Sequence, residues 1–229
     1  MGTQKNSPSG VSYTFNEDPL TPVTVTKGAH STPVWIQKRW QDGEFATYIQ
    51  NNGCGHCCVA MALRLSGIAD VTPYDEYVHC RTLWGAPDEA AGQYHFLSVA
   101  GALKSLRSYG VKAEAYGFLP GERKAAVAHI LGELARGHLV LFDSLPLRED
   151  NPFSSGAHYV LFVGLTEDGR VIVANSSVKA RTDTLGIQTV NTEQIVEALS
   201  DEGCEPLTHD LTWGVLCDYR QKLGYIVIG

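Results

Sequence analysis

The chain is poor in three things, and each shortage removes a class of protein. It has no apolar run approaching the roughly 18 residues needed to span a bilayer, so no membrane span is expected. It has no cluster of lysine or arginine to offset a net charge of −7 over 229 residues, which argues against a nucleic-acid partner. It has six cysteines (Cys54, Cys57, Cys58, Cys80, Cys204 and Cys217), too few at this length for a disulfide scaffold. Residues 1–30 lack the basic start and apolar centre of a secretion signal. The expectation is therefore a cytosolic protein, or a secreted one expressed without its leader. No internal repeat and no low-complexity linker follow residue 33.

What remains is an ordinary globular composition, 44% hydrophobic and 19% charged, able to bury a core without staples. Residues 1–32, rich in Thr, Ser, Pro and Gly, read as an extended arm with at most one edge strand near Pro22 to Thr26. Residues 33–229 read as one domain. Val34 to Gln37 is strand-like and Lys38 to Ile49 reads as loop. A helix runs from Cys54 to about Ser66, closed by Gly67. Thr72-Pro73 opens a short helix through Val78. Helical spacing recurs from Phe96 to Leu106 and from Arg123 to Arg136.

Then the pattern turns to strands. They are His138 to Phe142, His158 to Leu165 and Arg170 to Ala174, the last two joined at Glu167-Asp168-Gly169. A capped helix opens at Asn191, and two strands, Leu211 to Cys217 and Tyr225 to Ile228, end the chain. Helices first and strands afterwards predict an α+β fold with a mainly antiparallel sheet.

The chemistry gathers in Asn51-Asn52-Gly53-Cys54-Gly55-His56-Cys57-Cys58, where a Gly-flanked cysteine opens the apolar helix. Unpaired N–H groups at a helix N-terminus lower a thiol pKa, so Cys54 is the candidate nucleophile. A nucleophilic cysteine needs a base, and the base needs an orienting group. His158 opens an apolar strand after Ser154-Ser155-Gly156-Ala157, and Asn175 ends its hairpin partner, so the turn returns the two to each other.

These residues resemble the papain-like cysteine peptidases, and most closely the branch of bacterial double-glycine (bacteriocin-leader) peptidases and their stand-alone relatives. The resemblance rests on Cys54-Gly55 with its apolar helix, on His158-Tyr159-Val160-Leu161-Phe162-Val163-Gly164, and on Asp168-Gly169-Arg170-Val171-Ile172-Val173-Ala174-Asn175. Cys54 and His158 are 104 residues apart, and His158 and Asn175 are 17 apart, which fits the family's order.

The resemblance implies a papain-like fold with the central helix packed on the sheet, a peptide or protein substrate, no cofactor and no metal. It also implies a glutamine that binds the oxyanion together with the Cys54 N–H. Gln37 resembles the position used in the stand-alone relatives, whereas Gln50 lies four residues before Cys54, short of the papain-like spacing. Both stay open. Two departures stand out. His56 and Cys57 replace the usual Pro and small residue, and Asn175-Ser176 replaces Asp-Pro, although Asn is the orienting residue in papain itself.

Rival chemistries use the same stretch. Cys54-Gly55-His56-Cys57 also has the form of a dithiol redox pair, but lacks the preceding apolar strand. Cys54, His56, Cys57, Cys58, His79 and Cys80 offer metal donors without a second Cys-x-x-Cys. Cys57 is a rival nucleophile, disfavoured because the apolar run Val59 to Leu63 matches the family's helix with Cys54 first. A catalytically silent binding domain is a further alternative. Specificity is expected to lie in the loops 70–94 and 143–155.

Overall fold

The computed structural model describes residues 4–15, 21–88, 93–144, 151–154, 156–177, 186–199, 201–204, 212–215 and 224–229. Its centre is a helix. In chain order the first elements are strands β1 (Gln4–Asn6), β2 (Val11–Thr14), β3 (Thr24–Lys27) and β4 (His30–Pro33), then helices α1 (Ala46–Asn52), α2 (Cys54–Leu65) and α3 (Pro73–Trp84). Strand β5 (Gln93–Leu97), helix α4 (Val99–Ser108), strand β6 (Ala113–Tyr116) and helix α5 (Arg123–Ala135) come next. Strands β7 (Leu139–Ser144), β8 (His158–Leu165), β9 (Val171–Asn175) and β10 (Ile187–Val190), helix α6 (Thr192–Ala198), and strands β11 (Trp213–Val215) and β12 (Tyr225–Ile228) complete the fold.

Helix α2 is buried along its whole length except at Arg64. Its small residues make that possible: a Cβ on Gly55 would sit 3.1 Å from Leu97 Cβ and 3.5 Å from Tyr159 Cδ2. The helix packs on β8 and is flanked by α3, α4 and β4. It stops where Gly67 takes a φ of 68°, a left-handed conformation that glycine adopts without steric cost.

The main sheet runs β10-β9-β8-β7-β12-β6, and every neighbouring pair is antiparallel. Side chains alternate across it. On β8, Tyr159, Leu161 and Val163 join the core that contains α2, whereas Val160 and Phe162 join a second core under α5 and α6. Both faces are covered, which is why His158 to Leu165 reads as a continuous apolar run instead of an alternating one. The α+β architecture, with a central helix on an antiparallel sheet, is the one expected.

Several local expectations need correction. The segment expected as an extended arm folds into a four-stranded antiparallel meander, β1-β2-β3-β4. Its Ser and Thr residues hide this in the composition, because Val11, Tyr13, Val23 and Val25 suffice to join the main core. Val34 to Gln37 forms no strand, and a 3₁₀ turn occupies Gln37–Arg39. Within the expected loop 38–49 lies most of α1, which has no side-chain cap and buries only Ile49, leaving no periodicity to read.

Helix α3 extends past Val78 to Trp84 on a Thr72–Asp75 capping box. Phe96 belongs to β5, and α4 starts one residue after Ser98, whose Oγ accepts from Gly101 N–H at 3.0 Å. Strand β10 is not expected from the sequence, where only Ile187 and Val190 of the four residues are apolar. Of the expected strand Leu211 to Cys217, residues 211, 216 and 217 lie outside the described residues.

The meander is clipped to the far end of β8. Ser9 Oγ donates to Leu165 O and accepts from Leu165 N–H, both at 3.0 Å. Beside it the β8–β9 register shifts between Phe162 and Gly164, and a Cβ on Gly164 would collide with Ser9 Oγ and lie 2.9 Å from Val11 Cγ2. Gly164→Val is therefore expected to lower stability by about 1–3 kcal/mol through overpacking, measured by urea denaturation. An unchanged midpoint would show that the meander does not depend on this contact.

Candidate active site

Cys54 is the first residue of α2, separated from α1 by Gly53 alone. A side chain at Gly53 would press within 2.8 Å of Ile49 Cα and Cγ2, so glycine is what lets the two helices abut. The thiol is buried, and burial pushes its pKa up to about 11. The N–H of Tyr159 pulls the other way, Asp143 adds to the rise, and the N–H groups of Gly55 and Cys54 again oppose it. The helix N-terminus thus acts in the expected direction, but desolvation outweighs it. The resting group is a thiol.

His158 opens β8 and is 4% exposed. Strand alternation puts it on the face of Val160, and Val160 pairs directly with Asn175 on β9. The diagonal neighbours meet: His158 Nε2 donates to Asn175 Oδ1 at 2.8 Å. The amide is itself held, its Nδ2 donating to Phe153 O at 3.0 Å and its Oδ1 accepting from Ser177 N–H at 2.8 Å. This network fixes the tautomer with its proton on Nε2 and leaves Nδ1 as a base. Burial lowers the His158 pKa to about 4, with Asn175 opposing the fall. At neutral pH the imidazole is uncharged.

The structure thus brings His158 and Asn175 together. Cys54 reaches the same strand at the Tyr159 N–H, one peptide unit from His158, on the opposite side of the β8 backbone. Among the described residues, no hydrogen bond joins the Cys54 sulfur to the His158 ring.

The two glutamines separate. Gln37 is buried, its N–H donates to Ser176 O at 3.0 Å and its Nε2 reaches Gln50 O at 3.4 Å. It bridges the end of β9 and the helix leading to Cys54. Its Oε1 is buried without a partner. Gln50 Nε2 is engaged by Trp40 O at 2.6 Å, a bond that holds the 3₁₀ turn to α1.

Two features escaped the sequence reading. Asp143, on the α2 face of β7, pairs across the strands with Tyr159. Burial raises its pKa to about 7, with the Tyr159 hydroxyl opposing. A single acidic residue at the end of an apolar run gives no sign of which face it takes. The other is Glu76 of α3, completely buried and bonded to His56, which the sequence offers only as one of several metal donors; Glu76 sits in a weakly amphipathic helix whose inner face is not evident from its sequence. All five cysteines among the described residues are free and buried. Burial raises Cys57 as well as Cys54, the reverse of an activated dithiol.

Asp143 has a pKa of about 7 folded against 3.8 as a free group, so between those values the folded chain binds the extra proton. Its contribution to stability is complete below about pH 4 and is lost as the pH rises to 7. The stability difference, Asp143→Asn minus wild type, is therefore expected to grow by about 1.4 kcal/mol per pH unit over this interval, read from urea midpoints. A pH-independent difference would mean that Asp143 is solvated.

No protein-family model matches the chain, and no curated protein is significantly similar to it. No helix among the described residues is long and apolar enough to cross a membrane. Solved structures do match. One is a double-glycine motif protease from an AMS/PCAT transporter, crystallised in complex with the leader peptide, to which this chain is similar at 16% identity and a TM-score of 0.38, covering 77% of this chain and 82% of that one.

Proposed function

We propose that the chain is a cysteine hydrolase that cleaves a peptide or related amide through Cys54, His158 and Asn175. The observation that carries the reading is the His158–Asn175 bond, which leaves Nδ1 as a base on the residue adjoining the peptide unit that Cys54 touches. A neutral imidazole and a protonated thiol suit general-base chemistry rather than a standing ion pair.

In this reading His158 Nδ1 takes the thiol proton as Cys54 Sγ bonds to the substrate carbonyl carbon. The carbonyl electrons move onto oxygen. The Gln37 amide and the Cys54 N–H stabilise that oxyanion. The intermediate collapses, the C–N bond breaks, and the leaving amine receives the proton from His158. Water, deprotonated by His158, then attacks the thioester, releasing the acid and restoring the thiol. Asn175 keeps the imidazole in the tautomer that these steps require. Substrate selection is assigned to the segments 70–94 and 143–155, the first of which carries α3 and of which residues 89–92, 145–150 and 155 lie outside the described residues.

A haloacetamide-type reagent is expected to label Cys54, and Cys54→Ala to abolish that adduct in a peptide mass map; labelling unchanged in the variant contradicts the assignment. With a cleavable amide in hand, Gln37→Ala is expected to lower kcat about 10²–10³-fold with little change in KM. Gln50→Ala is expected to cost stability by freeing Trp40 O. The reverse pattern would hand the oxyanion role to Gln50.

A further inference from the structure

The motif that the proposed hydrolysis does not use is His56. It lies in the first turn of α2, where its Nδ1 meets Glu76 Oε2. Glu76 and Cys80 stand one turn apart on α3, and Cys80 Sγ donates to Glu76 Oε1 at 3.0 Å. All three side chains are fully buried, with 0% exposure. Their ligand atoms lie within 4.8 Å of one another. A nitrogen, a carboxylate oxygen and a sulfur converging from two helices are the donor set of zinc-class ions.

We infer that His56, Glu76 and Cys80 form a binding site for one divalent transition-metal ion of the zinc class, tying α2 to α3 beneath the Cys54 turn. Three further observations support it. Tyr48 OH lies 3.1 Å from His56 Nε2, the outer-shell partner that orients a ligating imidazole. Ser105 Oγ donates to Glu76 Oε1 at 2.8 Å, orienting the carboxylate in the same way. Tyr77 and Trp213 wall the imidazole, with ring centroids 5.2 Å and 6.1 Å away, and exclude water.

The charges close as well. A dication with one carboxylate and one thiolate is neutral, which suits a site with no solvent. Binding forms the metal–sulfur, metal–nitrogen and metal–oxygen bonds and releases the Cys80 thiol proton to solvent, without a change of oxidation state. The His56 ring proton moves from Nδ1 to Nε2, which then donates to Tyr48 OH. Metal–ligand bonds of about 2.0–2.3 Å require the donor atoms to spread from hydrogen-bond distance by roughly an ångström.

The inference is independent of the hydrolase reading and is tested on the full chain. Purified protein is analysed for metal content and titrated with Co(II). About one equivalent bound, with a thiolate-to-cobalt charge-transfer band that is lost in Cys80→Ser and kept in Cys54→Ala and Cys57→Ala, is the result expected. X-ray absorption at the metal edge of the wild-type protein needs no variant and should show one sulfur and two or three nitrogen or oxygen ligands. Absence of stoichiometric metal together with absence of the Co(II) band would overturn the site. So would two or more sulfur ligands, or a band that survives Cys80→Ser and vanishes in Cys54→Ala or Cys57→Ala, which would move the metal to the cysteine turn.

Discussion

The burial of α2 is the constraint on which everything else depends. A helix covered by a sheet on one side and by helices and β4 on the others cannot leave a polar group without a partner, since an unpaired one costs roughly 1–3 kcal/mol. Its inner residues are therefore small or apolar, from Gly55 through Ala60 and Ala62, and its one buried imidazole is met by a carboxylate from α3. The same burial governs the chemistry. Cys54 is desolvated along with its helix, so the dipole that would expose a thiolate in water only moderates a rise in pKa.

The sheet divides the work between its faces. Alternation along β8 sends Tyr159 toward α2 and leaves His158 on the side of Val160 and Asn175. On the first side, Cys54 and Asp143 share a dry environment in which a negative charge on either raises the cost of charging the other. On the second, His158 is held neutral and oriented by a network anchored through Asn175 to Phe153 and Ser177. The start of β8 is where the two environments adjoin. In the proposed mechanism a proton crosses there and passes on to the leaving amine.

Legibility followed periodicity. The limits of α2, α5, α6, β8, β9 and β12 were close to visible, because strong apolar patterns are bounded there by Gly67, Gly137, the Asn191 cap and the Asp168-Gly169 turn. Helix α1 was not, because one buried residue and no cap give it no signal. The meander was missed because its inward positions are few and its outward ones are Ser, Thr and Lys. At the site, the pairing of His158 with Asn175 could be deduced from hairpin arithmetic. The contributions of Asp143 and Glu76 could not, since both depend on which face of an element turns inward. The Cys54 shift runs opposite to the sequence expectation for a related reason: sequence shows the helix terminus and not the depth at which it is buried.

The central claim is that Cys54 and His158 act on one another across the start of β8. NMR titration of the His158 ring, before and after methylthiolation of Cys54, tests it most directly. The account predicts a midpoint near 4 in the free-thiol protein and a clear displacement once the sulfur is capped, with other histidines unmoved. Superimposable His158 curves would contradict it, and the two residues would then belong to separate parts of the core.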